Sequence, residues 1–411
     1  MSSIKSRRRL LATAAAVAAA TAVFTLSACS GNPVTGDDGD DASPAASEQD
    51  DEAADPVKLT ASIKDGAANV AVDKTVSVSA AGGSIDKVSV FSGRDVPKNQ
   101  VDGELNGKKT AWKATGSLEP GKKYRVVMQG QNADGDAVTE RSSFTTQDLT
   151  LDQQTYASIA PLDGAEVGVA MPIIVNFDIP VTNKAAIERN LEVESKPKVE
   201  GTWSWLSDTE VHFRPKEYWP SGTEVTVDAN VNSVKAGPNL WGQENNSASF
   251  TVGDAVESVV NVRGHEMTVK VNGKVARTLP ITTGKAGFET RGGTKVIMEK
   301  HDVKRMDAAT TGIDEDDPEY YNIPDVQYAM RVTSTGEFIH AAPWSVGSQG
   351  AANVSHGCVG LSTSDALWLY NKSSIGDPVK FINSPRTLEQ GNGWTDWDQS
   401  YQEFKQGSAL S

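Results

Sequence analysis

A scheme written twice in this chain leaves it little choice but β-structure. Leu118-Glu-Pro-Gly-Lys-Lys-Tyr124-Arg-Val126 leads to Ser143-Phe144-Thr145, and Tyr218-Trp219-Pro-Ser-Gly222-Thr-Glu-Val225-Thr-Val227 leads to Ser249-Phe250-Thr251. In each copy Pro and Gly punctuate a turn, and the residues after it alternate apolar with polar, the period of a strand with one buried face. Val70-Ala-Val72, Thr75-Val-Ser-Val78 and Lys87-Val-Ser-Val-Phe91 keep that period ahead of the first copy, where Trp112 supplies bulk and Asp134-Gly135 a hairpin turn. Trp203 and Trp205 precede the second copy, which has the longer closing loop. Two tandem β-sandwiches are predicted, over 56–148 and 149–253. Trp203, Trp205, Trp219 and Trp241 are expected in core or interface packing rather than in a sugar-stacking surface. His212 is expected to point outward from its strand.

The strand spacing of both units is immunoglobulin-like, and neither is assigned any catalysis. Ahead of them, Lys5, Arg7, Arg8 and Arg9 precede an apolar run from Leu10 to Leu26, the layout of a secretory signal. Its end, Leu26-Ser27-Ala28-Cys29, resembles a bacterial lipobox, which implies cleavage of residues 1–28 and diacylglycerol on Cys29. The stretch 29–55 carries Asp37, Asp38, Asp40, Asp41, Asp50, Asp51 and Asp55 and almost no large apolar residue, so it reads as a solvated tether. Its mean reach is roughly 25–30 Å by the square-root rule for flexible chains. The expected place is therefore the outer face of the cytoplasmic membrane, lipid-anchored and facing the wall. A net charge of −15 excludes nucleic acid as a natural partner.

Chemistry concentrates in His340-Ala-Ala-Pro-Trp344, a Gly/Ser/Asn-rich loop, and Ser355-His356-Gly357-Cys358-Val359. The chain has two cysteines. With Cys29 taken by lipid, Cys358 has no disulfide partner, and a leftover thiol in an exported protein is a candidate reactive group. His340 and His356 lie close by in sequence, and imidazole is the usual base that turns a thiol into a nucleophile. Around this stretch the β rhythm continues through Val259-Val-Asn-Val262 and Met267-Thr-Val269-Lys-Val271, an Asn272-Gly273 hairpin turn, and Val296-Ile-Met298. One helix is predicted after the cysteine, from a capping-box-like Ser362-Thr-Ser-Asp365 into Leu367-Trp368-Leu369-Tyr370.

The His340 strand and Ser-His-Gly-Cys-Val resemble the active-site signature of the YkuD-type L,D-transpeptidases, over about 254–383. With the lipobox, two sandwiches and an aromatic tail, the chain resembles the long actinobacterial members over nearly its whole length. The resemblance implies a mainly β protein: two Ig-like β-sandwich domains, a β-rich catalytic domain with few short helices at 254–383, and a C-terminal helical tail at 384–411. It implies 3→3 crosslinking between diaminopimelate residues of peptidoglycan stems, through a thioester on Cys358 and without cofactor or metal. His340 would serve as base, and His356 would orient or polarise the site. The N–H groups of Gly357 and Cys358 would meet the oxyanion, and the following helix would favour thiolate. Tyr320 or Tyr321 would be the lid residue over the donor. Trp344, Met306, Ser355 and Asn353 would touch substrate, and carbapenem-type β-lactams would acylate the thiol.

Three departures from the family pattern stand out: Gly360 where many relatives carry Arg or Asn, Ala341 after the first histidine, and Thr290-Arg-Gly-Gly293 where many read Thr-Pro-x-Gly. Rival readings of the residues are a hydrolase delivering water to the same acyl-enzyme and a non-enzymatic wall-binding lipoprotein. A zinc site of His340, His356 and Cys358 has unsuitable ligand spacing. His265 and His301 read as structural. Trp394, Trp397, Tyr401 and Phe404 read as one helical stripe docked on the chain's own domains.

Overall fold

The computed structural model describes residues 55–94 and 99–411. The export signal, Cys29 and the tether up to residue 54 lie outside the described residues.

In the first sandwich, Lys58–Ala61, Ser77–Ala81, Ala111–Ala114 and Gly103–Leu105 form one sheet, in that spatial order. Ala67–Val70, Ala137–Thr146, Lys123–Asn132, Gly83–Ser92 and Gln100–Val101 form the other. Val78, Val90, Trp112, Val126 and Phe144 are buried in its core. Tyr124 stacks on Phe144 at 5.3 Å, and its hydroxyl accepts the Glu119 N–H at 2.7 Å. That bond explains the Leu-Glu-Pro-Gly turn placed just ahead of the tyrosine, a corner that ties strand to loop.

The second copy packs Ala157–Ala160, Ile173–Phe177, Glu210–Pro215 and Gly201–Trp205 against Ala165–Val167, Asn246–Val252, Glu224–Ala229 and Leu191–Lys196. Trp219 fills its core and donates its indole N–H to Met171 O at 2.8 Å. Trp203 and Trp241 are buried too, and Trp205 stacks on Phe177 at 5.8 Å and donates to Glu188.

The third unit holds two sheets. One orders Lys274–Pro280, Glu266–Val271, Val256–Asn261, Pro378–Ile382, Arg291–Val296 and Arg386–Thr387, and the other Glu299–Asp307, Asn322–Arg331, Phe338–Ala341 and Val359–Leu361. Asn272 and Gly273 both take positive φ (50° and 76°), which the two-residue hairpin requires. The helix Thr363–Lys372 is capped by Ser362 Oγ, which accepts the Asp365 N–H at 3.1 Å, and buries Ala366 and Leu369.

Two expectations need correction. The tail is not one helix. Gly391 and Gly393 take positive φ, Ser400 caps a new start, and only Tyr401–Lys405 is helical. The aromatic stripe docks through irregular backbone instead: Trp397 donates to Ala170 O at 2.8 Å and meets Tyr218 at 4.5 Å, while the Arg214 guanidinium lies 4.5 Å over Trp397 and 5.1 Å over Phe404.

Nor does His212 face solvent. The tail covers the outer face of its strand, and both ring nitrogens meet carboxylates at 2.8 Å, Asp396 on Nδ1 and Glu210 on Nε2. Nearby, the seam with the third unit is closed by backbone bonds from Gly168 N–H to Ile375 O and from Ala170 N–H to Gly376 O, both 2.8 Å. Only glycine fits at 168, because a Cβ would stand 2.2 Å from Asp377 Oδ1 and 2.3 Å from its amide nitrogen.

Burial alone would lower the pKa of His212, but Asp396 and Glu210 outweigh it and raise the pKa from 6.5 to about 9. A raised pKa stabilises the fold fully below 6.5, and the contribution disappears as pH rises through 9. Its size is on the order of 3 kcal/mol, from 1.36 kcal/mol per unit. Melting temperature should therefore fall between pH 6.5 and 9 in the wild type, and a His212→Gln chain should start lower and lose that slope. Differential scanning calorimetry across this range checks it.

Candidate functional site

The site is built on the parallel pairing of Phe338–Ala341 with Val359–Leu361, in which Ile339 opposes Val359, His340 opposes Gly360 and Ala341 opposes Leu361. Side chains alternate along a strand, so His340, Gly360 and Cys358 project to one face. A parallel pair needs a crossover. Residues 342–358 supply it, beginning with the short helical turn Pro343–Ser348.

The turn into the cysteine is fixed by hydrogen bonds. Gly357 takes φ +121°, open to glycine and strained for other residues. Thr290 Oγ1 donates to Gly357 O at 2.7 Å and accepts the Gly284 N–H at 2.8 Å. Ser355 Oγ donates to Cys358 O at 2.6 Å and accepts the Gly357 N–H at 3.1 Å. Of the two amides expected to face an oxyanion, that of Gly357 is thus engaged within the loop. The departure at Thr290-Arg-Gly-Gly293 lies at Arg291, whose backbone N–H donates to Glu337 Oε1 at 3.0 Å, a bond that proline could not make, while its guanidinium reaches the same oxygen at 3.1 Å.

Cys358 lies at the floor of an apolar cavity of about 270 Å³ that His340, His356, Met306, Tyr321, Trp344 and Ser355 also line. Its sulfur accepts the Phe338 N–H at 3.4 Å and lies 3.7 Å from Gly336 O. Among the described residues no hydrogen bond joins it to His340. Burial pushes the thiol up to about 11, with a smaller opposing effect from the Phe338 N–H. The helix expected to favour thiolate does not offset this, for it begins at Thr363, beyond the intervening strand.

His340 is buried, and its Nδ1–H donates to Ala341 O at 2.7 Å. A backbone carbonyl therefore fixes the tautomer, so the missing polar side chain at 341 costs nothing here, and Nε2 keeps its lone pair. Burial lowers the imidazole pKa below 6.5, so it is neutral at pH 7. At Gly360, a Cβ would meet Thr282 Cγ2 at 2.8 Å and Ala342 Cβ at 3.0 Å. Those two side chains occupy the space that a side chain at 360 would need.

The structure separates the lid tyrosines. Tyr321 lines the cavity with its ring 5.0 Å from His356, and burial pushes its phenol up to about 12, so the hydroxyl remains a donor. The Tyr320 hydroxyl instead accepts from Asn322 at 3.1 Å, on the exposed side. Trp344 forms a rim 57% exposed, and Met306 lies buried beneath the lid.

Asn353 is not in the cavity lining. Its side chain accepts from Thr283 N–H at 3.1 Å, meets His265 at 2.9 Å and donates to Val262 O at 3.1 Å, which is bracing of the loop. His265 is structural in that contact, and His301 pairs with Glu299 at 2.8 Å. Among the described residues no group of three or more His, Cys, Asp or Glu could hold a metal.

His356 engages the lid rather than the sulfur. Its Nε2 meets Glu319 at 2.8 Å, Lys285 reaches the same carboxylate oxygen at 2.5 Å, and Phe288 packs edge-on at 4.6 Å. Lys285, and then His356, hold the Glu319 carboxyl below the usual carboxylate range. Glu319 and Lys285 were missed by sequence reasoning. Glu319 stands in an acidic run and Lys285 in a Gly-Lys turn, and nothing local to either signals the pairing across 34 residues.

With this geometry in hand, similarity to other proteins can be placed. Residues 256–381 match the family model described as L,D-transpeptidase catalytic domain, and residues 67–235 match that of a bacterial Ig domain. L,D-transpeptidase 2 of Mycobacterium tuberculosis is 34% identical over 353 residues, covering 86% of this chain and 85% of that protein. L,D-transpeptidase 5 of the same species is 33% identical, covering 83% and 75%. A solved structure of an LD transpeptidase in complex with imipenem is 37% identical, covers 56% of this chain and 99% of that one, and superposes with a TM-score of 0.49.

The Glu319 contacts tie the segment 314–321 to Lys285 and to His356 on the cavity wall. In Glu319→Gln, amide hydrogen exchange across 314–321 should quicken several-fold with the sheet cores unchanged, as mass spectrometry of peptic fragments would show.

Proposed function

The chain belongs to the L,D-transpeptidases, and from that premise we propose that it forms 3→3 crosslinks in peptidoglycan through a thioester on Cys358. The observation that carries the reading is a buried thiol and a buried, neutral imidazole of fixed tautomer, sharing one apolar cavity beside Tyr321.

Because burial raises the thiol and lowers the imidazole, the resting site holds neutral partners, and the thiol gives up its proton only as it attacks the bound donor. Rotation about the Cys358 side chain brings Sγ–H to His340 Nε2, which takes the proton while sulfur attacks the carbonyl at the L-centre of diaminopimelate in a tetrapeptide stem. The Cys358 N–H and the Tyr321 hydroxyl meet the oxyanion. As the tetrahedral intermediate collapses, its C–N bond breaks, His340 returns the proton to the departing D-Ala amine, and the acyl group remains on sulfur. An acceptor side-chain amine then attacks the thioester, His340 takes its proton, and the thiolate leaves and is reprotonated. Thioesters favour amine over water more than oxygen esters do, and the apolar, lidded cavity limits water further.

A β-lactam carbonyl presented to the same sulfur would open its ring and leave Cys358 acylated, so carbapenems are proposed inhibitors. Export, a diacylglycerol on Cys29 and a place at the outer face of the membrane complete the proposal. The two sandwiches then act as a stalk that holds the cavity toward the wall.

The test is an intact-mass spectrum of the protein with a tetrapeptide-stem muropeptide, beside Cys358→Ala. An acyl adduct on the wild type alone, with 3→3 dimers in solution, is expected. Tripeptide without dimers would mean a hydrolase, and wall binding indifferent to Cys358→Ala, with no adduct on the wild type, a non-enzymatic lipoprotein. His340→Ala should lower kcat/KM by roughly 10²–10⁴-fold, the usual worth of a positioned base. The acid limb of the pH–rate profile should lie below 6.5, because the imidazole must lose its proton to act and burial makes that easier.

A further inference from the structure

We propose that Lys295 and Glu337, a buried ion pair behind Cys358, are positioning residues that hold the backbone donor against the sulfur and balance the charge beside it. The inference rests on Cys358 being the nucleophile, as argued above.

Glu337 lies between Gly336 and Phe338, the two residues whose backbone touches Sγ. Its Oε2 accepts from Lys295 Nζ at 2.5 Å, and its Oε1 accepts from the Arg291 N–H at 3.0 Å and Arg291 Nη1 at 3.1 Å. The same side chain abuts the turn into the cysteine, since a Cβ on Gly357 would lie 3.6 Å from Glu337 Cγ and Oε1. The Lys295 side chain is 0% exposed, with Nζ 3.7 Å from the Phe381 ring centre. One carboxylate thus ties together the start of the His340 strand, the Arg291–Val296 strand and the Gly357 turn.

Stability does not account for such a pair. Two charges taken out of water cost so much that an apolar pair of similar size often serves as well. Position accounts for it better. The groups facing Cys358 are Glu337 and Lys295 behind it, Arg331 with its guanidinium 4.5 Å over Phe338, the Tyr321 phenol on the lid, and His340 and His356 along the cavity. Glu337 disfavours thiolate and Lys295 favours it, so the two charges oppose each other at the sulfur while fixing the Phe338 N–H that supports it.

The two charges must then betray themselves in opposite directions. The rate of iodoacetamide alkylation, read at the Cys358 peptide by mass as a function of pH, would be measured in the full chain. In Lys295→Met the profile should move to higher pH, and in Glu337→Gln to lower pH, each by on the order of one unit. Transfer kcat should fall in both with KM for the stem little changed. The double variant Lys295→Met/Glu337→Leu should return near the wild-type profile yet transfer at least about tenfold more slowly, because the backbone donor is no longer held. Shifts of the same sign, or none, in folded single variants overturn the proposal. Should a single variant fail to fold, a double variant that transfers at the wild-type rate overturns it equally. Wild-type protein that alkylates but never makes dimers would instead sink the transpeptidase reading and leave the effect of the pair on the thiol to be read as before.

Discussion

Desolvation of one sulfur and one imidazole governs the rest of the catalytic unit. In the apolar floor of the cavity both ionised forms are penalised, the thiolate and the imidazolium alike, so the resting pair is neutral. A neutral imidazole must have its tautomer chosen for it, and the Ala341 carbonyl does so. Under the proposed mechanism the thiol ionises only as it attacks, and donors would then stand ready where charge appears, the Phe338 N–H on the sulfur and the protonated Tyr321 phenol above it. The same dryness makes a lid worth having. Its latch is electrostatic, Glu319 set between Lys285 and His356, while its underside is apolar, with Met306 and Tyr321 toward the cavity.

How far this was legible in the sequence depends on the range over which each feature is decided. Strand periodicity and turn chemistry are local, so the sandwiches, the Asn272-Gly273 hairpin and the helix cap at Ser362 could be read directly. The Ser-His-Gly-Cys run with His340 upstream is a motif, and the structure brings both of its ends to one cavity. What failed was decided elsewhere in space. His212 has the look of an outward strand residue until the tail covers it with Asp396, 184 residues on. Asn353 sits in the right loop but turns its amide to Thr283, His265 and Val262. Tyr320 and Tyr321 both precede the strand that begins at Asn322, and only the path of that irregular segment puts Tyr321 on the cavity and Tyr320 against Asn322. The aromatic period of the tail was real, but Gly391 and Gly393 prevent it from forming one helix, and its side chains find their partners from turns.

Departures from a family pattern proved readable as packing. Gly360 leaves room for Thr282 and Ala342, Arg291 gives its backbone N–H and its guanidinium to Glu337, and Ala341 contributes through its backbone alone. In each case a functional side chain elsewhere in the family need not be replaced by another functional side chain. A neighbour can fill the volume and leave Cys358 and His340 where they were, which is how interiors near close packing absorb substitution.

The tail links these scales. Asp396 pins the second sandwich through His212, and two residues later Asp398 accepts the Thr294 N–H, next to Lys295. Glu389, farther back in the same tail, meets Arg291, whose other partner is Glu337. The segment that fixes the sandwich against the catalytic unit is therefore also the outer wall of the charge network behind Cys358. Contiguity of this kind makes the two regions share one packing solution; signalling between them would further require an element with two arrangements. A shared wall of this kind holds the second sandwich and the cavity in one orientation, which is what the proposed reaction on a substrate fixed in a polymer would require of them.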